Sequence, residues 1–128
     1  MKKMMLMDKY PVYTSDIPKS ATNIKSVDEI VKYFIKKIEE DDEAVFISLF
    51  DHFAHTKSLE DCEINPEIKD AKDIVFCFGK KLPNPYVVGV RPRSIGVCET
   101  ENSFVISFLE APNPEANEKM QNWAKEIL

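Results

Sequence analysis

The chain has 128 residues, and its 17 Lys+Arg stand against 22 Asp+Glu for a net charge of −5. Length sets one domain, and 44% hydrophobic with 30% charged residues is ordinary globular composition that excludes a disordered chain. Only three glycines exclude glycine-rich phosphate cradles, no run approaches the ~18 apolar residues of a membrane span, and the acidic balance disfavours backbone-driven nucleic-acid binding.

Residues 1–9 open with Lys2 and Lys3 and a short apolar stretch, Met4 to Met7. That stretch is below the ~7–15 residues of a signal-peptide core, so these residues read as a disordered start and the protein as cytoplasmic. A single α+β domain is expected over 10–128. Tyr10-Pro11-Val12-Tyr13-Thr14 reads as a short edge strand, because Pro11 cannot donate to a central ladder. Pro18 to Lys25 reads as a polar connection. Ser26 and Glu29 then form an S-x-x-E capping box. Val27, Ile30, Val31, Phe34, Ile35 and Ile38 follow at helical spacing and make one apolar stripe. Five acids, Glu39 to Glu43, end that pattern and read as a solvated turn.

Ala44 to Phe50 reads as a strand, and Asp51 to Asp70 as a long polar connection carrying both histidines. Unstructured connections of that length are uncommon and are often functional. Four more strands are predicted: Asp73–Phe78, Tyr86–Arg91, Arg93–Glu99 and Ser103–Leu109. Their short links imply an antiparallel meander. Asn113 caps a last helix with Pro114 at its first position. Ala116, Met120, Trp123, Ala124 and Ile127 form its buried stripe.

The expected fold is therefore α+β, with an antiparallel sheet of about five to six strands, two helices on one face, and the order β-α-β(4-5)-α. Alternation sharpens it. Ile74, Phe76, Phe78, Phe104, Ile106 and Phe108 make one large aromatic face. The opposite positions are smaller but still mostly apolar, unlike a sheet with one wet face. That second face calls for a cover: a partner chain, the Asp51–Asp70 segment or a ligand. A homodimer is the expectation adopted.

Phe50-Asp51-His52 at a strand end, and Phe78-Gly79 running into Lys80-Lys81-Leu82-Pro83-Asn84-Pro85, resemble the bacterial domain-of-unknown-function family three-hundred-and-two. That family has a strand-end Asp-His and an Ile/Leu-Phe-Gly-Asn-Pro loop. Lys80 and Lys81 stand where it has Asn-Pro, so the resemblance is that of an uncharacterised sister family. It spans roughly Ser26 to Asn113. It implies a fold like half of the TATA-box-binding protein and a tendency to dimerise. It implies no activity.

Cys62, Cys77 and Cys98 are odd in number and lack CxxC spacing, as expected of reduced thiols. His52 and His55 form an H-x-x-H pair that on a helix would share a side. Two ligands are fewer than the three or four that zinc takes. The plainer reading is a hydrogen-bonded histidine that orients its loop; a pocket or proton-transfer role is the sharper one. Lys80 and Lys81 follow one strand, whereas Arg91 and Arg93 bracket Pro92 one predicted strand later. A meander puts these pairs at opposite sheet edges, as two basic spots. Either arginine could hold a carboxylate or phosphate, against the plainer reading of solubilising turn charges.

These features point to a non-enzymatic, dimeric small-ligand-binding or accessory protein. Its pocket is expected near His52, His55 and the Gly79-Lys80-Lys81 turn, with Arg91 and Arg93 as further binding residues for a small anionic ligand. The alternative is an enzyme using His52 as general acid or base in that pocket. No cofactor or metal is assigned, and neither nucleic acid nor membrane is an expected partner.

Overall fold

The computed structural model describes residues 1–127. Six strands, β1 (Lys2–Leu6), β2 (Tyr10–Pro18), β3 (Ala44–Phe50), β4 (Asp70–Phe78), β5 (Arg93–Glu99) and β6 (Ser103–Leu109), form one open sheet in the order β1-β2-β6-β5-β4-β3. Every pairing is antiparallel. Strands β3 to β6 form an antiparallel meander, but one that takes in β3 and lacks the predicted strand Tyr86–Arg91. The N-terminal hairpin β1–β2 adds to it alongside β6.

Two expectations at the N-terminal side change. Lys2–Leu6, expected as a disordered start, pairs with β2 from Lys2↔Thr14 to Leu6↔Tyr10. Consequently β2 is an internal nine-residue strand and not a short edge. Pro11 is tolerated there because it sits at the hairpin end of the strand, where its carbonyl still accepts from the Glu110 amide at 2.9 Å.

Helices α1 (Val27–Glu39) and α3 (Pro114–Lys125) cover one face of the sheet. Both begin as their sequences predict. Ser26 accepts from the Glu29 amide, and Asn113 accepts from the Glu115 amide with Pro114 behind it. The core between helices and sheet holds Val27, Ile30, Phe34 and Ile38 of α1 against Ile74, Phe76, Ile95, Phe104 and Ile106, all fully buried. Tyr33 ties the helices together, its hydroxyl donating to the Trp123 carbonyl at 2.6 Å. Burial, with Glu126 nearby, pushes that phenol up to about 12.

Between β3 and β4 a six-residue helix, α2 (His52–Lys57), is capped by Asp51, which accepts from the Ala54 amide at 3.0 Å. It packs against β4. The other long connection, from β4 to β5, differs from expectation. Tyr86–Arg91 is not a strand; Val87–Val90 is a single 3₁₀ turn. Asn84 explains the local geometry, its side-chain oxygen accepting from the amides of Tyr86 and Val87 at 2.9 and 3.1 Å. An apolar run with β-branched residues looks like a strand, but β4, the strand it follows, is already paired on both sides, by β3 and β5.

Candidate functional site

Losing that strand changes which residues meet. With Tyr86–Arg91 outside the sheet, β4 and β5 are direct antiparallel neighbours, and Phe76 pairs with Arg93. The exit of β4 and the entry of β5 therefore lie at the same edge. The two cationic spots expected at opposite edges belong to one loop, residues 79–92. Arg91 reaches back across it and donates to the Lys81 carbonyl at 2.8 Å. Gly79 makes this possible. It sits at φ +94°, where side chains are disfavoured, and a Cβ there would meet the Arg91 guanidinium at 3.5 Å.

A pocket of about 320 Å³ opens at this edge, between the loop, the end of the sheet and the start of α3. Its apolar wall is Phe78, Val87, Val90, Ala111 and Ala116. Phe78 is set by stacking on Trp123, with ring centroids 5.5 Å apart. Its cations are Arg91, Arg93 and Lys119, with Glu43 and Glu115 at the exposed rim. Lys119 is already committed to Asp41 at 2.9 Å. Arg91 and Arg93 have no acidic partner within 4 Å among the described residues.

Arg93 is the unusual member. Its guanidinium donates to the Leu109 carbonyl, yet its Nε is buried without any partner. Burial disfavours its charge and holds its pKa below the usual arginine value. Even half-buried, a guanidinium without an anion carries a desolvation cost. Beside it, Asn117 fixes the strand-to-helix joint: its amide accepts from the Ala111 N–H at 2.6 Å and donates to the Ala111 carbonyl at 2.8 Å. This is a pocket with a rigid back wall and an uncompensated cation at its base.

The histidines lie elsewhere. His52 Nδ1 bonds Asp73 at 2.8 Å. Asp73 alternates with the core-facing Ile74, so it projects from the sheet face that α1 and α3 leave uncovered. It is also five residues from Phe78 along β4, about 17 Å at ~3.3 Å per residue. The single pocket joining His52 to the Gly79-Lys80-Lys81 turn is thus two separate regions, on opposite faces and at opposite ends of β4. His52 and His55 both pack on Phe50, with ring centroids 5.0 and 5.3 Å away. Among the described residues, no three His, Cys, Asp or Glu side chains gather where a metal could sit. His52 lines a smaller recess of about 250 Å³ with Phe53, Ile64, Ile68 and Ala71. Lys80 and Lys81 are exposed and lie outside both recesses.

Lys119, Phe78 and Asn117 were not singled out from sequence as site residues. Asn117 did leave a signal. It lies three residues before Met120, inside the apolar stripe of α3, where a polar side chain needs partners.

The model of one family, the family of unknown function DUF6858, matches residues 1–128. The chain belongs to that family. No curated protein and no solved structure matches it. Nothing in these comparisons links the chain to family three-hundred-and-two or to the TATA-box-binding-protein fold.

Proposed function

We propose that this protein binds a small acid with an apolar body in the pocket between the 79–92 loop and α3. The observation that carries the reading is Arg93: a half-buried guanidinium with no acidic partner, lining a largely apolar cavity. A ligand carboxylate on the guanidinium would neutralise the charge and offset the cost of its partial burial. Arg91 stands ready as a second donor, and Phe78, Val87 and Val90 would take the apolar body. The volume, about 320 Å³, is at the small end of the range for ligand pockets.

Calorimetric titration with hexanoate, phenylacetate and their amides tests this. The acids should bind, the amides should not, and Arg93→Gln should weaken the acids at least about tenfold. Equal affinity for acids and amides, or no binding by either acid, overturns the reading.

A second reading gives His52 acid–base work at the smaller recess. It is favoured by one contact: Asp73 on Nδ1 leaves Nε2 as the nitrogen available to a substrate. A screen with activated esters would compare wild type with His52→Gln, and turnover that survives the substitution would end this reading. Dimerisation is a further part of the proposal. It is supported by Met4, Leu6, Val45 and Leu109, which stand 44–58% exposed on the uncovered sheet face. Native mass spectrometry checks it, and a monomer at micromolar concentration would remove it.

A further inference from the structure

The loop that walls the pocket has a second character, independent of what the pocket holds. From Gly79 to Pro92 it carries Lys80, Lys81 and Arg91 and no acid, in a chain whose net charge is −5. Its tip displays large apolar side chains to solvent: Leu82 is 72% exposed, Tyr86 83% and Val88 60%. Elsewhere in the chain, exposed apolar residues lie on strands or are scattered singly; here they crown one projecting turn.

Part of the backbone of that turn is satisfied from within. Asn84 takes the amides of Tyr86 and Val87, Tyr86 takes the amide of Gly89 at 3.0 Å, and Pro83 and Pro85 have no amide to satisfy. This matters because unpaired amides are what makes irregular backbone costly to take out of water. Its base is also fixed, by the Gly79 amide on the Glu43 carbonyl at 2.8 Å and by Arg91 on Lys81.

We propose that the 79–92 loop docks on an anionic lipid surface. Leu82, Tyr86 and Val88 enter the headgroup boundary while Lys80 and Lys81 remain at the level of the lipid phosphates. An apolar tip supplies buried area and a cationic collar supplies attraction, the two components of interfacial binding. Tyr86 suits the boundary, having an apolar ring and a polar tip. The concentration of positive charge on this one loop is what selects a negatively charged surface. The expectation of no membrane partner rested on the lack of a spanning segment. No described helix is long and apolar enough to cross a membrane, but a loop lying on the surface needs none.

The test is co-sedimentation with phosphatidylcholine vesicles, with and without phosphatidylserine, at low and high salt. Wild type should pellet with the anionic vesicles only, and less so at high salt. Lys80→Glu with Lys81→Glu should lower the partition coefficient by more than about tenfold. Leu82→Ser with Val88→Ser should lower it by at least about tenfold. Both pairs are exposed, so their melting temperatures should match wild type, and neither touches the acid titration that tests the pocket. Wild type that ignores anionic vesicles, binds neutral ones equally, or stays bound in both variants overturns the proposal. Binding to polyglutamate but not to vesicles also overturns it, in favour of an acidic protein surface.

Discussion

The two faces of the one sheet are treated differently. Toward α1 and α3, Ile74, Phe76, Ile95 and Ile106 are fully buried. One residue along the same strands, Val75, Cys77, Cys98 and Val105 are only partly covered. Side-chain size separates the faces better than polarity does. Large aromatic and branched residues fill the space under the helices, while Ala71, Gly96 and Ser107 keep the other side low. Gly96 shows why: a Cβ there would press on the Asp73 carboxylate at 3.3 Å and on Ser107 at 3.5 Å. The candidate sites divide the same way. The acid pocket sits at the rim of the helix-covered face, and the His52–Asp73 pair belongs to the open one.

Paired substitutions on neighbouring residues would break or sharpen this contrast most directly. Phe76→Ala should cost about 3–5 kcal/mol in denaturant unfolding. Val75→Ala, one residue away on the open face, should cost no more than about 1 kcal/mol. Similar losses would mean that the second face is covered in solution. Asn117→Ala comes next, at about 1–3 kcal/mol, because it strands the Ala111 amide and carbonyl in a buried joint. The same variant should weaken acid binding, since the pocket wall loses its brace.

Acid titration gives a smaller effect on the helix side. Burial alone would raise the Asp41 carboxyl, but bonds from Lys119 and the Glu43 amide outweigh it and hold Asp41 below its ordinary value of 3.8. A group lowered on folding stabilises the protein above its unfolded value and loses that contribution as pH falls through the folded one. Stability should therefore fall below about pH 3.8, by no more than about 1 kcal/mol from this pair. Asp41→Asn should flatten that part of the curve, as followed by thermal melts across pH. The smallest effect is expected on the open face. His52→Ala should change stability by no more than about 0.5 kcal/mol, because its side chain is 54% exposed. A loss of several kcal/mol would make the histidine a structural brace and count against acid–base work there.

Much of the architecture was legible in the sequence. The Ser26 N-cap, the Asn113-Pro114 start of α3, and the strands Arg93–Glu99 and Ser103–Leu109 are read from local chemistry and match the structure to the residue, while the capping box is half formed, Glu29 accepting from the Lys25 amide in place of Ser26. Each is decided within a few neighbours, by a cap that accepts an amide or by a period that keeps one face apolar. The N-terminal strand was not legible, because Lys2–Leu6 has no alternating pattern and is held by its partner β2.

The site was decided by tertiary structure. Val87–Val90 has the composition of a strand, and whether it joined the sheet depended on a free edge that sequence does not display. That one outcome set the parity of the chain from β4 to β5. It brought Arg91 and Arg93 to the same edge as Gly79 and left His52 at the other end of β4. Sequence alone identified the residues with chemistry to offer: the two histidines, the four cations and the glycine between them. Which of these meet is a property of strand pairing, a non-local interaction in which moving a single strand in or out of the sheet reverses the edge at which the next residues emerge.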